Sequence, residues 1–323
     1  MRDSLTTLED PYGRTVMKLC ISVTHHSNLT RPCIMEAAPP RNLKPEDILT
    51  FDEIAAVVHI AAELGIRKVK LAGGEPLLRA SLENLIEKLS SVASAPEISM
   101  TTNGTLLAPK AKILCAHHLK RVTIGLDTLD EDRFRNITSG GRLRDALAGL
   151  DAAVANFANV KVNVVALRGV NDDEWRKFVQ LARDRDIEVR FIECIPVTGR
   201  LEDWKRYFVP IAEVKRVLEV PEPLEEGPSR GIAEVYPLPD GKGKIGFIAP
   251  VTNPFCTECD RLTLTSWGSL IPCLIQGSEL DIRRFLRPRS NETHLRRAFK
   301  EAVETKPLRH KLYRYLRPNE ADE

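Results

Sequence analysis

The stretch Lys68-Val69-Lys70-Leu71-Ala72-Gly73-Gly74-Glu75-Pro76 shows the strand-and-turn pattern that recurs through the first half of the chain. Its first five residues predict a short strand. The Gly-Gly pair directly after that strand lets a backbone approach a ligand closely and point N–H groups at it. An ordinary turn between a strand and a helix explains the same residues equally well, so both interpretations stay open.

Strand-like runs alternate with helical stretches from about residue 17 to residue 195. Strands are predicted at 18–23, 68–72, 98–101, 122–126, 160–166 and 189–195. The clearest helix begins at the capping box Thr50-Phe51-Asp52-Glu53 and ends at Gly65. Repeated β–α units of one sense predict an α/β fold, a partial (β/α)6 barrel of the TIM type, with its site at the carboxyl ends of the strands.

The character of the sequence changes after about residue 200. A loop-rich stretch leads to strands predicted at 233–236, 244–248, 262–265 and 270–273, and then to helices predicted near 279–287 and 292–304. We therefore predict two parts, a barrel over residues 1–200 and a C-terminal extension over residues 201–323 that packs over the barrel mouth.

Three cysteines in the extension predict a metal centre. Cys256 and Cys259 form a C-x2-C pair, and Cys273 follows after thirteen residues. Three such thiolates hold an iron–sulfur cluster or, with another ligand, zinc, and the spacing leaves both open. A disulfide is less expected, because this long chain has only 7 cysteines and no secretory segment. A cluster held by three cysteines would leave one iron free to bind a substrate.

Composition excludes other classes of function. The net charge of +2 gives no bulk basicity for nucleic acid, and 43% hydrophobic with 28% charged residues is ordinary for a soluble protein. No apolar run approaches the roughly 20 residues that span a membrane. We therefore expect a cytoplasmic enzyme or binding protein without a nucleic-acid or membrane partner.

Polar residues inside and after the predicted strands point to an anionic ligand. Lys161 and Asn163 share one face of their strand, and Lys70 lies similarly before the Gly-Gly turn. A lysine inside an apolar strand either extends to solvent or meets an anion such as a phosphate, and the shared face favours the anion. Thr101-Thr102-Asn103-Gly104 also ends a strand, where a ligand contact and a simple turn are equally plausible.

Nine motifs, in order over about residues 10 to 310, resemble the radical-SAM GTP 3′,8-cyclase family, which performs the first step of molybdenum cofactor synthesis. Each motif is weak alone, but their joint occurrence is specific. They are Asp10-Pro11-Tyr12-Gly13-Arg14, Ser22-Val23-Thr24, Gly73-Gly74-Glu75-Pro76-Leu77-Leu78-Arg79, Thr101-Thr102-Asn103-Gly104, Leu126-Asp127-Thr128-Leu129-Asp130, Lys161-Val162-Asn163, Arg168-Gly169-Val170-Asn171-Asp172, Arg190-Phe191-Ile192-Glu193 and Cys256-x2-Cys259-Asp260-Arg261-Leu262.

The resemblance implies a lyase that converts GTP to (8S)-3′,8-cyclo-7,8-dihydroguanosine 5′-triphosphate, with two [4Fe–4S] clusters at the mouth of an incomplete barrel. An N-terminal CxxxCxxC cluster would hold S-adenosyl-L-methionine (SAM), and the C-terminal cluster would bind the GTP base. By position, Cys256, Cys259 and Cys273 would ligate the C-terminal cluster; Lys70, Thr101, Lys161, Arg261, Leu262 and Thr263 would lie by GTP; and Gly74, Gly125 and Ile195 would line the SAM site. The resemblance leaves a homodimer open.

One motif departs from the family. The resemblance places the N-terminal cluster ligands at Ser27, Arg31 and Ile34, none of which is a cysteine, while Cys33 lies one residue early. Cys20 stands where the family has a GTP-binding arginine. One serine or one isolated cysteine cannot replace three thiolates around iron. Two explanations stay open: an inactive homologue that keeps one cluster and the nucleotide pocket, or a disruption of the sequence across residues 30–48.

Overall fold

One mixed sheet organises the computed structural model, which describes residues 7–30, 39–195, 201–220, 232–239, 241–310 and 312. The strands within these residues are β1 Lys18–Ser22, β2 Lys68–Ala72, β3 Glu97–Thr102, β4 Arg121–Gly125, β5 Asn159–Ala166, β6 Glu188–Glu193, β7 Glu234–Pro237, β8 Lys244–Ile248, β9 Arg261–Leu264, β10 Ser269–Ile271 and β11 Leu280–Asp281. The helices are α1 Phe51–Glu63, α2 Leu82–Ser90, α3 Ala111–Ala116, α4 Glu131–Ile137, α5 Leu143–Asn156, α6 Trp175–Arg185, α7 Leu201–Tyr207, α8 Ile211–Val217 and α9 Glu292–Glu304.

The strand order shows how the two halves of the chain combine. It runs β11-β10-β9-β1-β2-β3-β4-β5-β6-β8-β7. Neighbouring strands from β9 through β1–β6 to β8 are parallel, while β7, β10 and β11 pair antiparallel. The sheet formed by the described strands is open, with β7 and β11 outermost. The predicted α/β fold with a partial TIM-like barrel is confirmed.

Burial alternates along the barrel strands because successive side chains point to opposite faces. In β1, Leu19 and Ile21 are fully buried in the core beneath the helices, whereas Cys20 between them is only half-buried on the inner face. We call the space enclosed by these inner faces the lumen. The capping box of α1 is present, since the Glu53 amide donates to the Thr50 side chain and the Thr50 amide donates to the Glu53 carboxylate.

The C-terminal residues differ from the sequence expectation in two ways. Two of their strands belong to the barrel sheet itself, because β8 and β9 extend that sheet beside β6 and β1. A helix at 279–287 is also wrong, because β11 pairs there with β10 and a 3-10 turn, Arg283–Phe285, follows. The helix predicted at 292–304 is confirmed. A boundary near residue 200 stays a prediction. No helix in the described ranges is long and apolar enough to cross a membrane.

Candidate active site

The three predicted ligand cysteines lie at the amino ends of the barrel strands. Arg261, the first residue of β9, stands opposite Lys18, the first residue of β1, so Cys259 precedes the sheet at its amino edge. β10 runs back antiparallel to β9 and delivers Cys273 to the same edge. The expected position at the carboxyl-end mouth is therefore wrong, because a strand that joins β1 in parallel must enter at the amino end.

A tight turn presents the Cys256 and Cys259 thiols. Cys256–Glu258 is a single 3-10 turn, and Cys259 closes it by donating its amide to the Cys256 carbonyl. All three thiols, including that of Cys273, are half-buried and free of disulfides. Burial raises the pKa of the Cys256 thiol, and the neighbouring thiols of Cys259 and Cys273 raise it further. Bringing three soft thiol ligands together in this way suits iron–sulfur chemistry.

The arrangement of the three thiols differs from that of a site for a single metal ion. Within the described ranges, no group of three His, Cys, Asp or Glu side chains has the geometry for one metal ion. A [4Fe–4S] cluster spreads its thiolates over separate irons, so it requires no such close group.

Four cations gather in the lumen next to the cysteine turn: Lys70, Lys161, Arg190 and Arg261. Burial lowers the pKa of Lys70, and the positive charges of the other three lower it further. Glu188 lies among them, accepting a hydrogen bond from Lys161 at 2.7 Å and another from Arg190. The lumen therefore carries an excess of positive charge that an anionic ligand would relieve.

Polar atoms in the lumen also lack partners. The hydroxyl of Thr101, the side-chain oxygen of Asn163 and the Nε of Arg261 are buried without a hydrogen bond. A buried polar group without a partner costs about 1–3 kcal/mol, so native proteins rarely leave several in one place. Thr101 stands opposite Thr123, and Thr123 opposite Lys161, which puts these groups on adjoining strands. The lumen has the features of a site that a polar, anionic ligand completes.

The other predicted residues are placed as follows. Thr263 is buried on the inner face of β9. The Leu262 side chain belongs to the hydrophobic core and therefore does not face the lumen. Gly125 ends β4 opposite Asn163 on the inner face. Ile195 packs against the small apolar cluster around Trp204.

The Gly-Gly turn after β2 packs against the loop that follows β1. A Cβ on Gly73 would stand 2.2 Å from the Thr24 carbonyl oxygen, and one on Gly74 would stand 2.1 Å from the His26 carbonyl oxygen. The Gly74 amide donates to Thr24, and the next amide, of Glu75, donates to His26. Backbone packing thus accounts for both glycines, in agreement with the turn interpretation. Glu75 is itself buried and ties the turn to β3 by accepting from the Thr102 hydroxyl.

The loop after β1 does not fit an N-terminal cluster. Ser27 uses its hydroxyl to close a turn, donating to the Leu29 carbonyl at 2.7 Å and accepting from the Leu29 amide at 3.2 Å. Arg31, Cys33 and Ile34 lie outside the described residues. Between residues 21 and 114 the sequence contains one cysteine, Cys33. A hard hydroxyl and a single thiol cannot supply the three thiolates that such a cluster needs.

Comparison with known proteins places the chain. The Radical SAM superfamily model matches residues 24–182, and the Molybdenum Cofactor Synthesis C model matches residues 187–312. The GTP 3′,8-cyclase of Moorella thermoacetica is 40% identical over 307 residues, covering 94% of this chain and 95% of the relative. That of Thermodesulfovibrio yellowstonii is 38% identical over 308 residues, covering 93% and 94%. The chain belongs to the GTP 3′,8-cyclase family.

Solved structures support the fold. Streptococcus suis SuiB bound to S-adenosylmethionine is similar with a TM-score of 0.64 at 14% identity, covering 94% of this chain and 68% of that one.

Membership of the GTP 3′,8-cyclase family also resolves the choice between zinc and iron–sulfur in favour of [4Fe–4S] chemistry with SAM. Of the two cluster positions that the family implies, the residues fit the C-terminal one and not the N-terminal one.

Proposed function

We propose that this chain has the function of GTP 3′,8-cyclase in molybdenum cofactor synthesis, with GTP bound in the lumen. Cys256, Cys259 and Cys273 would hold a [4Fe–4S] cluster, whose open iron supplies a binding position for the guanine base. Lys70, Lys161, Arg190 and Arg261 would neutralise the triphosphate. We further propose a cytoplasmic location with no nucleic-acid partner, which accords with the net charge of +2.

One observation carries the nucleotide part of the proposal. Four cations and three unpartnered polar atoms face one lumen that adjoins the cysteine turn. A triphosphate can pair with several cations at once, and charge-assisted hydrogen bonds to phosphate are about twice as strong as neutral ones. Thr101 and Asn163 offer the further hydrogen bonds that orient a sugar or base.

A second candidate is a homologue that binds the nucleotide without radical chemistry. The comparisons give it no support, but the N-terminal sequence does, since Ser27 is engaged in a turn and Cys33 is the single cysteine between residues 21 and 114. The two candidates share the lumen and differ in whether SAM is cleaved.

A GTP-binding measurement tests the nucleotide site that both candidate functions share. Anaerobically reconstituted protein should bind GTP, and Lys161→Met should weaken binding by about tenfold or more because it removes a partly buried cation. Lys177→Met, an exposed lysine on α6, is the matched control and should bind GTP normally. Absence of GTP binding by the wild-type protein would overturn both candidates.

Product analysis then separates the candidates. With dithionite, SAM and GTP, the cyclase should yield 5′-deoxyadenosine and a cyclised nucleotide, both measurable by chromatography and mass spectrometry. Normal GTP affinity with neither product would reject the cyclase function and leave the second candidate.

A further inference from the structure

A lysine is buried directly behind the cysteine turn. Lys306 follows α9 and is 3% exposed. Its ammonium group donates to the Cys259 sulfur at 3.3 Å, to the Arg261 carbonyl at 2.8 Å and to the Pro272 carbonyl at 3.0 Å. An ammonium group has three N–H donors, so one is used by a predicted ligand and the other two by residues close to the predicted ligands.

The ammonium group of Lys306 contacts the Cys259 thiol and is not paired with a carboxylate. Within the described ranges, the salt bridges do not include Lys306. Removing an ammonium ion from water without a counter-charge is strongly unfavourable. Three thiolates around a [4Fe–4S] cluster would provide that counter-charge at the place where the ammonium group points.

The residues after Lys306 continue along the same turn, and we call segment 306–310 the thiol strap. Arg14 joins the strap to the cysteine turn, since its guanidinium donates to the Cys256 carbonyl at 2.5 Å. The buried Arg14 fixes the strap from the other side, donating to the Pro307 carbonyl at 2.7 Å and to the Leu308 carbonyl at 3.1 Å. One predicted ligand sulfur, that of Cys259, thus receives an N–H donor from this segment, and Arg14 holds the segment against the cysteine turn.

We propose that Lys306, the first residue of the thiol strap, raises the reduction potential of a cluster held by Cys256, Cys259 and Cys273. This inference rests on the cluster assignment in the proposed function. Hydrogen bonds to the sulfurs and nearby charge are established determinants of iron–sulfur potentials. A positive donor stabilises the reduced, more negative cluster, so Lys306 raises the potential.

The experiment is a redox titration followed by electron paramagnetic resonance on reconstituted full-length protein. Lys306→Met should give a lower potential and an altered signal, while Lys306→Arg, which keeps a charged donor, should restore most of the wild-type value. Lys300→Met removes an exposed lysine from α9 and serves as the control with unchanged potential. Thermal unfolding and iron content are measured for each variant.

The possible results distinguish a failure of the proposed role of Lys306 from a failure of the cluster assignment. A wild-type protein that binds no iron through the three cysteines would reject the cluster assignment itself. Full iron in Lys306→Met with the wild-type potential would reject the role of Lys306. If Lys306→Met binds no iron, a folded Lys306→Arg with wild-type iron and potential supports the role, whereas loss of iron or of folding in both variants contradicts it.

Discussion

At the scale of single residues, Glu188 is the least expected group in the lumen. Its carboxylate lies between Lys161 and Arg190, in a space otherwise suited to an anion. Burial alone would raise the pKa of Glu188, but these two cations outweigh burial and hold the pKa below its ordinary value. Glu188 is therefore ionised at neutral pH and competes with a bound triphosphate for the same two cations.

Replacing Glu188 by glutamine should tighten GTP binding. The change frees two cations at nearly constant volume, and we expect an increase in affinity of about threefold to tenfold. Isothermal titration calorimetry at neutral pH measures it, with Glu213→Gln, in an ion pair with the exposed Arg168, as the control. Because the pKa of Glu188 is lowered, wild-type affinity should approach that of the variant only as the pH falls through that lowered pKa. Weaker binding by Glu188→Gln would contradict the competition.

At the scale of elements, Glu193 joins three segments at the carboxyl end of β6. It is 1% exposed and accepts hydrogen bonds from the amides of Ile211 at the start of α8, and of Val251 and Thr252 beyond β8. The Thr252 hydroxyl donates to it as well. This carboxylate connects the barrel to the C-terminal residues at the edge opposite β9.

Glu193→Gln should destabilise that junction. Glutamine brings an NH2 group into a set of donors, so at least one hydrogen bond is replaced by a clash, at a cost of about 2–4 kcal/mol. Chemical denaturation should show that loss, whereas Glu219→Gln, exposed just after α8, should change the stability by less than about 0.5 kcal/mol. Equal stability of the two variants would show that the junction is not important for folding.

At the scale of the whole molecule, the pairing of β9 with β1 brings the extension to the lumen. Cys20 lies opposite both Lys70 and Thr263, so residues from three distant parts of the chain share one layer of the barrel. The predicted cluster ligands then stand at the amino edge of the strands, and the Gly-Gly turn stands at the carboxyl edge. A ligand in the lumen would lie between these two ends.

Iron analysis tests this arrangement. Cys273→Ala should lose about four irons per chain relative to the reconstituted wild type, since three thiolates are needed to retain a [4Fe–4S] cluster here. Cys115→Ala, a thiol on α3 that donates to the Asn156 carbonyl, should keep the wild-type iron content. Unchanged iron and sulfide in Cys273→Ala would remove this residue from the cluster.

The sequence alone determined the order of the barrel elements, the class of fold, the three-cysteine motif and the cationic strand positions, because strand periodicity, capping residues and ligand spacing are local properties. It also showed that Ser27, Arg31 and Ile34 are not cysteines. Tertiary structure alone decided that β9 joins β1, that the cysteines lie at the amino edge, and that Glu188 and Lys306 face the site. Those outcomes depend on pairing between residues that are far apart in the chain, and local sequence patterns carry no signal for such pairing.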